Sequence, residues 1–175
     1  MVSAFSARKG KMMNRSLVVG LNTFIDGYGN IGIADSFKAP AIKLKKVTQA
    51  TPVGERSISW GAVESLDSDG KFKALPAAIF EEISKLDEAK IIYKGAIKTG
   101  ADTSSIVHTC TGAIDLEYDE FKEGEYLGVT ISQKGLKKYM HEIGNKVVAK
   151  FDHENIICEV NGKDLLAETR KIIGS

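Results

Sequence analysis

The chain is poor in the residues that usually carry catalysis and metal binding. It holds three histidines, two cysteines, three prolines and one tryptophan in 175 residues. None of His108, His141 and His153 lies in an HExxH run, and no cysteine pair has zinc spacing. A GxSxG nucleophile elbow is missing, and Gly10-Lys11 lacks the upstream glycine and the hydroxyl residue of a Walker loop. No catalytic residue, metal or cofactor is therefore expected. Cys110 and Cys158 each stand among alternating apolar residues, which reads as two buried free thiols rather than a disulfide. No run approaches the roughly 18 apolar residues of a membrane helix, so no membrane anchor is expected. A net charge of +1 gives no basic footprint for sequence-specific nucleic-acid binding.

The remaining composition, 43% hydrophobic and 27% charged, suits a single globular domain with a sizeable core. Its N-terminal stretch, MVSAFSARKGKMMNRS, carries Arg8, Lys9, Lys11 and Arg15 without an acid and without the apolar core of a secretory signal. The expected division is an arm over residues 1–15 and one β domain over residues 16–175.

Residues 24–35, FIDGYGNIGIAD, contain Gly27-x-Gly29-x-x-Gly32, the spacing of a dinucleotide fingerprint. That site needs the last glycine to open a helix. Only seven residues separate Gly32 from Pro40, and they alternate with period two, so strand, turn and strand is the reading. Residues 48–73 form a long polar connection broken by Pro52, Gly54, Gly61 and Asp69-Gly70, read as an extended loop or hairpin with a flexible tip. Leu75, Ile79, Ile83 and Leu86 then make an apolar stripe for a helix at about 75–87, with Glu81 and Lys85 as an i, i+4 pair. After it the chain reads as β. KIIYKGAIK is a strand; Ile106, Cys110, Ile114 and Leu116 alternate, with His108 among them as a core or rim histidine. Leu127, Val129 and Ile131 alternate before a bulge at Gly135, and Gly144-Asn145 turns a hairpin. A second short helix is expected at about 163–172, with Asn161 as its N-cap, Leu165, Thr169 and Ile172 on one face, and Gly174 after it.

Two further patterns invite chemistry. Ser6-x-x-Lys9, Ser68-Asp69-Gly70 and Lys98-Thr99-Gly100 follow the order of serine β-lactamases. But Ser6 lies in a basic arm, Gly70 replaces an asparagine, and the chain is too short for that fold. The acidic stretch Asp115, Glu117, Asp119, Glu120, Glu123 and Glu125 lacks the glycine a calcium loop needs at its sixth position, and reads as a solvated strand end. His153, in Asp152-His153-Glu154, has no nucleophile beside it and reads as a solvated turn.

A more specific sign is a resemblance. FIDGYGNIGIADSFKAPAIKLKKVTQ, with Phe24-Ile25-Asp26-Gly27, Gly32-x-Ala34 and Pro40, resembles the N-terminal hairpin of the major tail tube protein of contractile-tailed phages. ENIICEVNGKDLLAETRKIIGS resembles that family's C-terminus, where a Val-Asn-Gly-x-Asp-x-Leu run leads into a short helix. The likeness covers nearly the whole chain, and is weakest over residues 48–73 and 98–105. It implies a mainly β, Hcp-like barrel or sandwich with one flanking helix. Six copies would form a ring, and rings would stack into a hollow tube related to R-type bacteriocin and type VI secretion tubes. The implied partners are other copies of the chain, a tail sheath, a baseplate or tube initiator, a tape measure protein and DNA passing non-specifically. The implied place is a virion tail or bacteriocin-like particle built in a bacterial cytoplasm. Inter-subunit contacts are expected at Arg8, Lys9 and Lys11 in the arm and at Pro52, Glu55, Arg56 and Trp60 in the 48–73 segment, although a lone tryptophan is often core. A lumen that passes DNA should lack Lys/Arg clusters. The alternative reading is a monomeric β-barrel that binds a small ligand or peptide.

Overall fold

The computed structural model describes residues 15–25, 29–32, 34–74 and 77–174, with 29–32 described by backbone alone. The arm residues Arg8, Lys9 and Lys11, together with Asp26-Gly27, Leu75 and Pro76, lie outside the described residues. The FIDGYGNIG segment is a hairpin: β1 (Ser16–Ile25) pairs antiparallel with β2 (Gly29–Gly32), through Ile25 opposite Gly29 and Thr23 opposite Gly32. No helix follows. The chain continues into β3 (Ser36–Lys38), which belongs to a different sheet. The 48–73 segment is ordered β structure rather than open loop. β4 (Leu44–Thr51) and β5 (Gly54–Val63) form a two-stranded antiparallel hairpin, and β6 (Ser68–Phe72) returns to the body.

The first helix, α1 (Ala78–Ser84), ends sooner than the apolar stripe predicts. Leu86 enters a 3-10 turn at φ 54° and leaves the buried face, so it is solvent-exposed. Glu82 turns inward instead. Its carboxylate accepts the Lys90 backbone N–H at 3.0 Å and pairs with Lys85, in place of the expected Glu81–Lys85 pair. A charge can be buried here because both of its oxygens are engaged.

The β-rich half follows as β7 (Lys90–Thr99), β8 (Asp102–Thr111), β9 (Asp115–Tyr118), β10 (Val129–Gln133), β11 (Lys138–Ile143), β12 (Lys146–Asp152), β13 (Ile157–Val160) and β14 (Lys163–Asp164). Gly144 and Asn145, at φ 56° and 63°, make the β11–β12 turn that the sequence requires. Asn161 and Gly162, at φ 50° and 78°, form a second such turn instead of capping a helix. The terminal helix α2 (Ala167–Ile173) therefore starts late. Asp164 Oδ1 accepts the Leu166 N–H at 3.0 Å, and Gly174 closes the helix at φ 76°. Leu165 and Leu166 pack on the core, whereas Thr169 and Ile172 face solvent.

Two sheets pack face to face. The larger has eight strands in the order β14-β13-β12-β11-β8-β7-β1-β2, and the smaller has four in the order β3-β6-β10-β9. One row of directly paired residues crosses the large sheet: Ile25, Ile91, Cys110, Tyr139, Phe151 and Cys158. None of these is more than 2% exposed, and both cysteines are free thiols. The neighbouring row holds Thr23, Tyr93, His108, His141 and Ala149. The small sheet answers with Phe37, Gly70, Ile131 and Leu116. Phe37 stacks on Tyr93 with ring centroids 3.8 Å apart. Gln133 Nε2 donates to the Gly112 carbonyl at 2.9 Å, which ties one end of the small sheet to the end of β8.

Gly70 is the fit that allows this stacking. A Cβ there would stand 2.8 Å from the Tyr93 hydroxyl and 3.1 Å from the Phe72 ring, with the Phe37 and Tyr93 rings stacked against one another nearby. Gly70→Ala is expected to lower unfolding stability by about 1–3 kcal/mol, measured by urea denaturation. An unchanged midpoint would show that the rings can move aside.

The histidines supply a pH dependence. His108 Nδ1 meets the Tyr139 hydroxyl at 2.8 Å, and the His108 and His141 rings stack at 4.3 Å. Burial lowers the His108 pKa to about 4, and the adjacent His141 pushes it the same way. Above the unfolded value, near 6.5, neither state is protonated. As the pH falls from there toward 4, only the unfolded chain takes up the proton, so stability is lost across that window. His108→Gln should flatten this loss relative to wild type in denaturation midpoints between pH 7 and 4.

Candidate assembly surfaces

Three exposed surfaces of the fold are candidates for contact with partners. The first is the outer face of the small sheet. Residues 68, 70, 72, 129, 131 and 133 point into the core, so the intervening side chains point out. They form two rows: Lys38, Asp69, Ser132 and Asp115, then Ser36, Lys71, Thr130 and Glu117. The outer face is thus polar, with lysines and carboxylates interleaved. Asp69 Oδ1 accepts from Ser132 Oγ at 2.8 Å and Lys134 Nζ at 2.9 Å, and these partners hold its carboxyl below the usual range. β3 and β9 end the sheet with no further strand paired to them among the described residues.

The second surface is the β4–β5 hairpin. It carries Pro52, Glu55, Arg56 and Trp60, the residues singled out by the sequence. Trp60 is 61% exposed, so it is not a core tryptophan, and Val53 at the tip is almost fully exposed. Pro52, Glu55 and Arg56 are also exposed. The hairpin base is anchored by the Glu64 N–H to Lys43 O bond at 2.8 Å and by Gly61, which packs against Leu165.

The third is the β9–β10 connection, residues 119–128. It carries Asp119, Glu120, Glu123 and Glu125, and Lys122 pairs with Glu120 at 3.2 Å. Phe121 and Tyr126 are exposed there, as is Tyr118 at the end of β9. The sequence reading saw the acids and missed the aromatics. Their exposure has a sequence signal in hindsight: Phe121 and Tyr126 follow neither a period of two nor one of 3.6.

The described residues assemble no reactive site. Ser68 is buried in β6, while Lys98 is exposed near the distal end of β7, so the β-lactamase-like pattern is not assembled. No group of three His, Cys, Asp or Glu side chains among the described residues could hold a metal ion. His153 is exposed in a turn, where Asp152 Oδ1 accepts the Glu154 and Asn155 N–H groups at 3.0 and 3.1 Å. A cleft of about 420 Å³ opens beside α1 and the outer face of the large sheet. Its Lys85 and Lys138 are committed to ion pairs with Glu82 and with Asp152 and Glu154. No helix among the described residues is long and apolar enough to cross a membrane.

Comparison with known proteins agrees with a structural role. The family model of phage tail tube protein FII matches residues 15–174. No curated protein sequence matches the chain significantly. Among solved structures, a chain of the anti-feeding prophage tube terminating cap is similar at TM-score 0.57 and 11% identity, covering 80% of this chain and 99% of that one. A chain in the sheath-tube complex of an extracellular contractile injection system, PVC, is similar at TM-score 0.53 and 11% identity, covering 70% and 88%. A chain in the sheath/tube terminator of that system gives TM-score 0.53 and 12% identity, covering 72% and 95%. At such identities the likeness establishes the fold, and the family match carries the rest. The chain belongs to the phage tail tube protein FII family, and its role is structural rather than enzymatic.

Proposed function

We propose that six copies close into a ring in which the small sheets join edge to edge and their polar outer faces line a channel. Rings stack into a hollow tube, enclosed by a sheath, that conducts DNA or punctures a target envelope. The observation that carries this reading is the polar face Ser36, Lys38, Asp69, Lys71, Asp115, Glu117, Thr130 and Ser132, bounded by the free edges of β3 and β9. A sheet edge exposed on a monomer is an aggregation hazard, and a closed barrel of neighbouring sheets removes it. Lysines on this face are interleaved with carboxylates, so the wall has no basic cluster to hold phosphates. Assembly takes place in the bacterial cytoplasm, where a baseplate or initiator starts the tube and a tape measure protein occupies the lumen.

Negative-stain electron microscopy over a concentration series, with mass determination, should show hexameric rings or tubes. A monomer at every concentration that also fails to extend a purified baseplate would overturn the reading. The lumen assignment has its own check, since the native cysteines are buried. Thr130→Cys in assembled tubes should react with a small maleimide but resist a polymer-linked one, and equal labelling by both would place Thr130 outside the channel.

A further inference from the structure

The hairpin and the aromatic loop leave opposite ends of the same small sheet. β3 ends at Lys38 opposite Asp69, near the start of β6, and the whole β4–β5 hairpin is inserted at that end. At the other end Val129 pairs with both Phe72 and Tyr118, and the 119–128 loop departs there. The hairpin is amphipathic. Val47 stands opposite Ile58, with Trp60 on the same face and Arg56 opposite Gln49 toward the tip. Lys46, Thr48, Ser57 and Ser59 occupy the reverse face. Val47, Ile58 and Trp60 are 52%, 41% and 61% exposed, with no layer packed over them among the described residues. Lys43, Lys45, Lys46 and Arg56 outnumber Glu55 and Glu64 along the hairpin, which makes it basic. The loop combines Phe121 and Tyr126 with four acids and one lysine, and Tyr118 at the end of β9 stands beside it.

We propose that these surfaces are the two halves of one head-to-tail contact: the apolar, basic face of one copy's hairpin lies on the aromatic, acidic loop of a second copy in the next ring. This rests on the tube reading above and names the side chains that join ring to ring. Apolar area is matched with apolar area, and basic with acidic charge. Arg56 can sit over the Phe121 or Tyr126 ring beside carboxylates, an arrangement that suits a guanidinium. Pairing hairpin with hairpin or loop with loop would set like charges together, so a symmetric dimer through either surface is disfavoured. Within one chain the two surfaces depart from opposite ends of the sheet and do not satisfy each other. A contact between unlike ends propagates instead of closing. The hairpin has the length for it: about six residues from Trp60 to the tip, at strand rise, give a reach of about 20 Å.

The test uses the full chain and a charge swap. The hairpin variant Arg56→Glu, on the apolar face, and the loop variant Glu123→Lys/Glu125→Lys alter exposed side chains, so melting midpoints should stay at the wild-type value. Each alone should reduce tube yield by about tenfold at matched protein concentration, because the contact repeats around every ring. The chain carrying both sets restores opposite charges and should recover to within about threefold of wild type. If a variant misfolds, the wild-type protein gives a second readout: tube length should fall as salt is raised. Wild-type tubes together with single variants that assemble normally, or a combined variant no better than the worse single one, would overturn the pairing alone and leave the loop free for the sheath. A wild-type chain that never assembles, even on a baseplate, sinks the tube reading and the pairing with it.

Discussion

One row of six side chains, Ile25, Ile91, Cys110, Tyr139, Phe151 and Cys158, sets the terms for the whole molecule. Each is paired across the backbone with the next, so their burial is a collective event, and slipping any strand by one residue would turn its member to solvent. A row that spans six strands needs a lid. The four-stranded sheet supplies it through Phe37, Ile131, Val129 and Phe72, with Ile79 of α1 and Leu165 and Leu166 packed in around it. The lock between lid and base is the Phe37–Tyr93 stack above Gly70. Burial pushes the Cys110 thiol up to about 12, so it serves this layer as an inert small apolar group rather than as a reactive one.

A lid made of strands cannot be apolar throughout. Period-two alternation gives every inward Phe or Ile an outward Ser, Thr, Lys or Asp, and it leaves two edges whose backbone groups face outward. The core therefore dictates the surface. A polar face bounded by two free edges follows from packing, and the same geometry lets copies join side by side without adding any element to the chain. The hairpin is the exception, since it contributes little to the core. Two-stranded hairpins are marginal alone, and this one is held at its base by Glu64, Lys43 and the Gly61–Leu165 contact. One of its faces carries exposed Val47, Ile58 and Trp60, which a solitary domain would have little reason to order.

Much of this was legible in the sequence where the signal is local. Gly144-Asn145 and Gly174 need left-handed backbone, and the structure uses all three that way. Alternation at 106, 110, 114 and 116 marked inward positions, although those residues divide between two sheets and the pattern cannot reveal the division. Asn161-Gly162 reads equally well as a helix entry or a turn, and only the pairing of Val160 with Lys163 decides between them. Glu82 was invisible, because its burial depends on a backbone N–H eight residues away. For the assembly surfaces, Pro52, Glu55, Arg56 and Trp60 all fall on the hairpin. Its strands were obscured because, beyond the base at Leu44 and Val63, neither of its faces meets the core, so apolar alternation had no reason to persist over residues 48–57.

The charges at the two ends of the small sheet explain how exposed apolar groups can be carried safely. Scattered aromatics on a neutral surface would invite contacts in any orientation. Here Phe121 and Tyr126 lie among carboxylates in sequence, while Trp60, Ile58 and Val47 share their face with Arg56 on a hairpin that is basic overall. In the proposed head-to-tail contact, opposite ends would attract and equal ends repel, so the electrostatics would select orientation while the apolar area supplied affinity. With a net charge of only +1, this separation of charge is hidden in the overall composition. It emerges only when the strand pairing shows that the basic hairpin and the acidic loop leave the sheet in opposite directions.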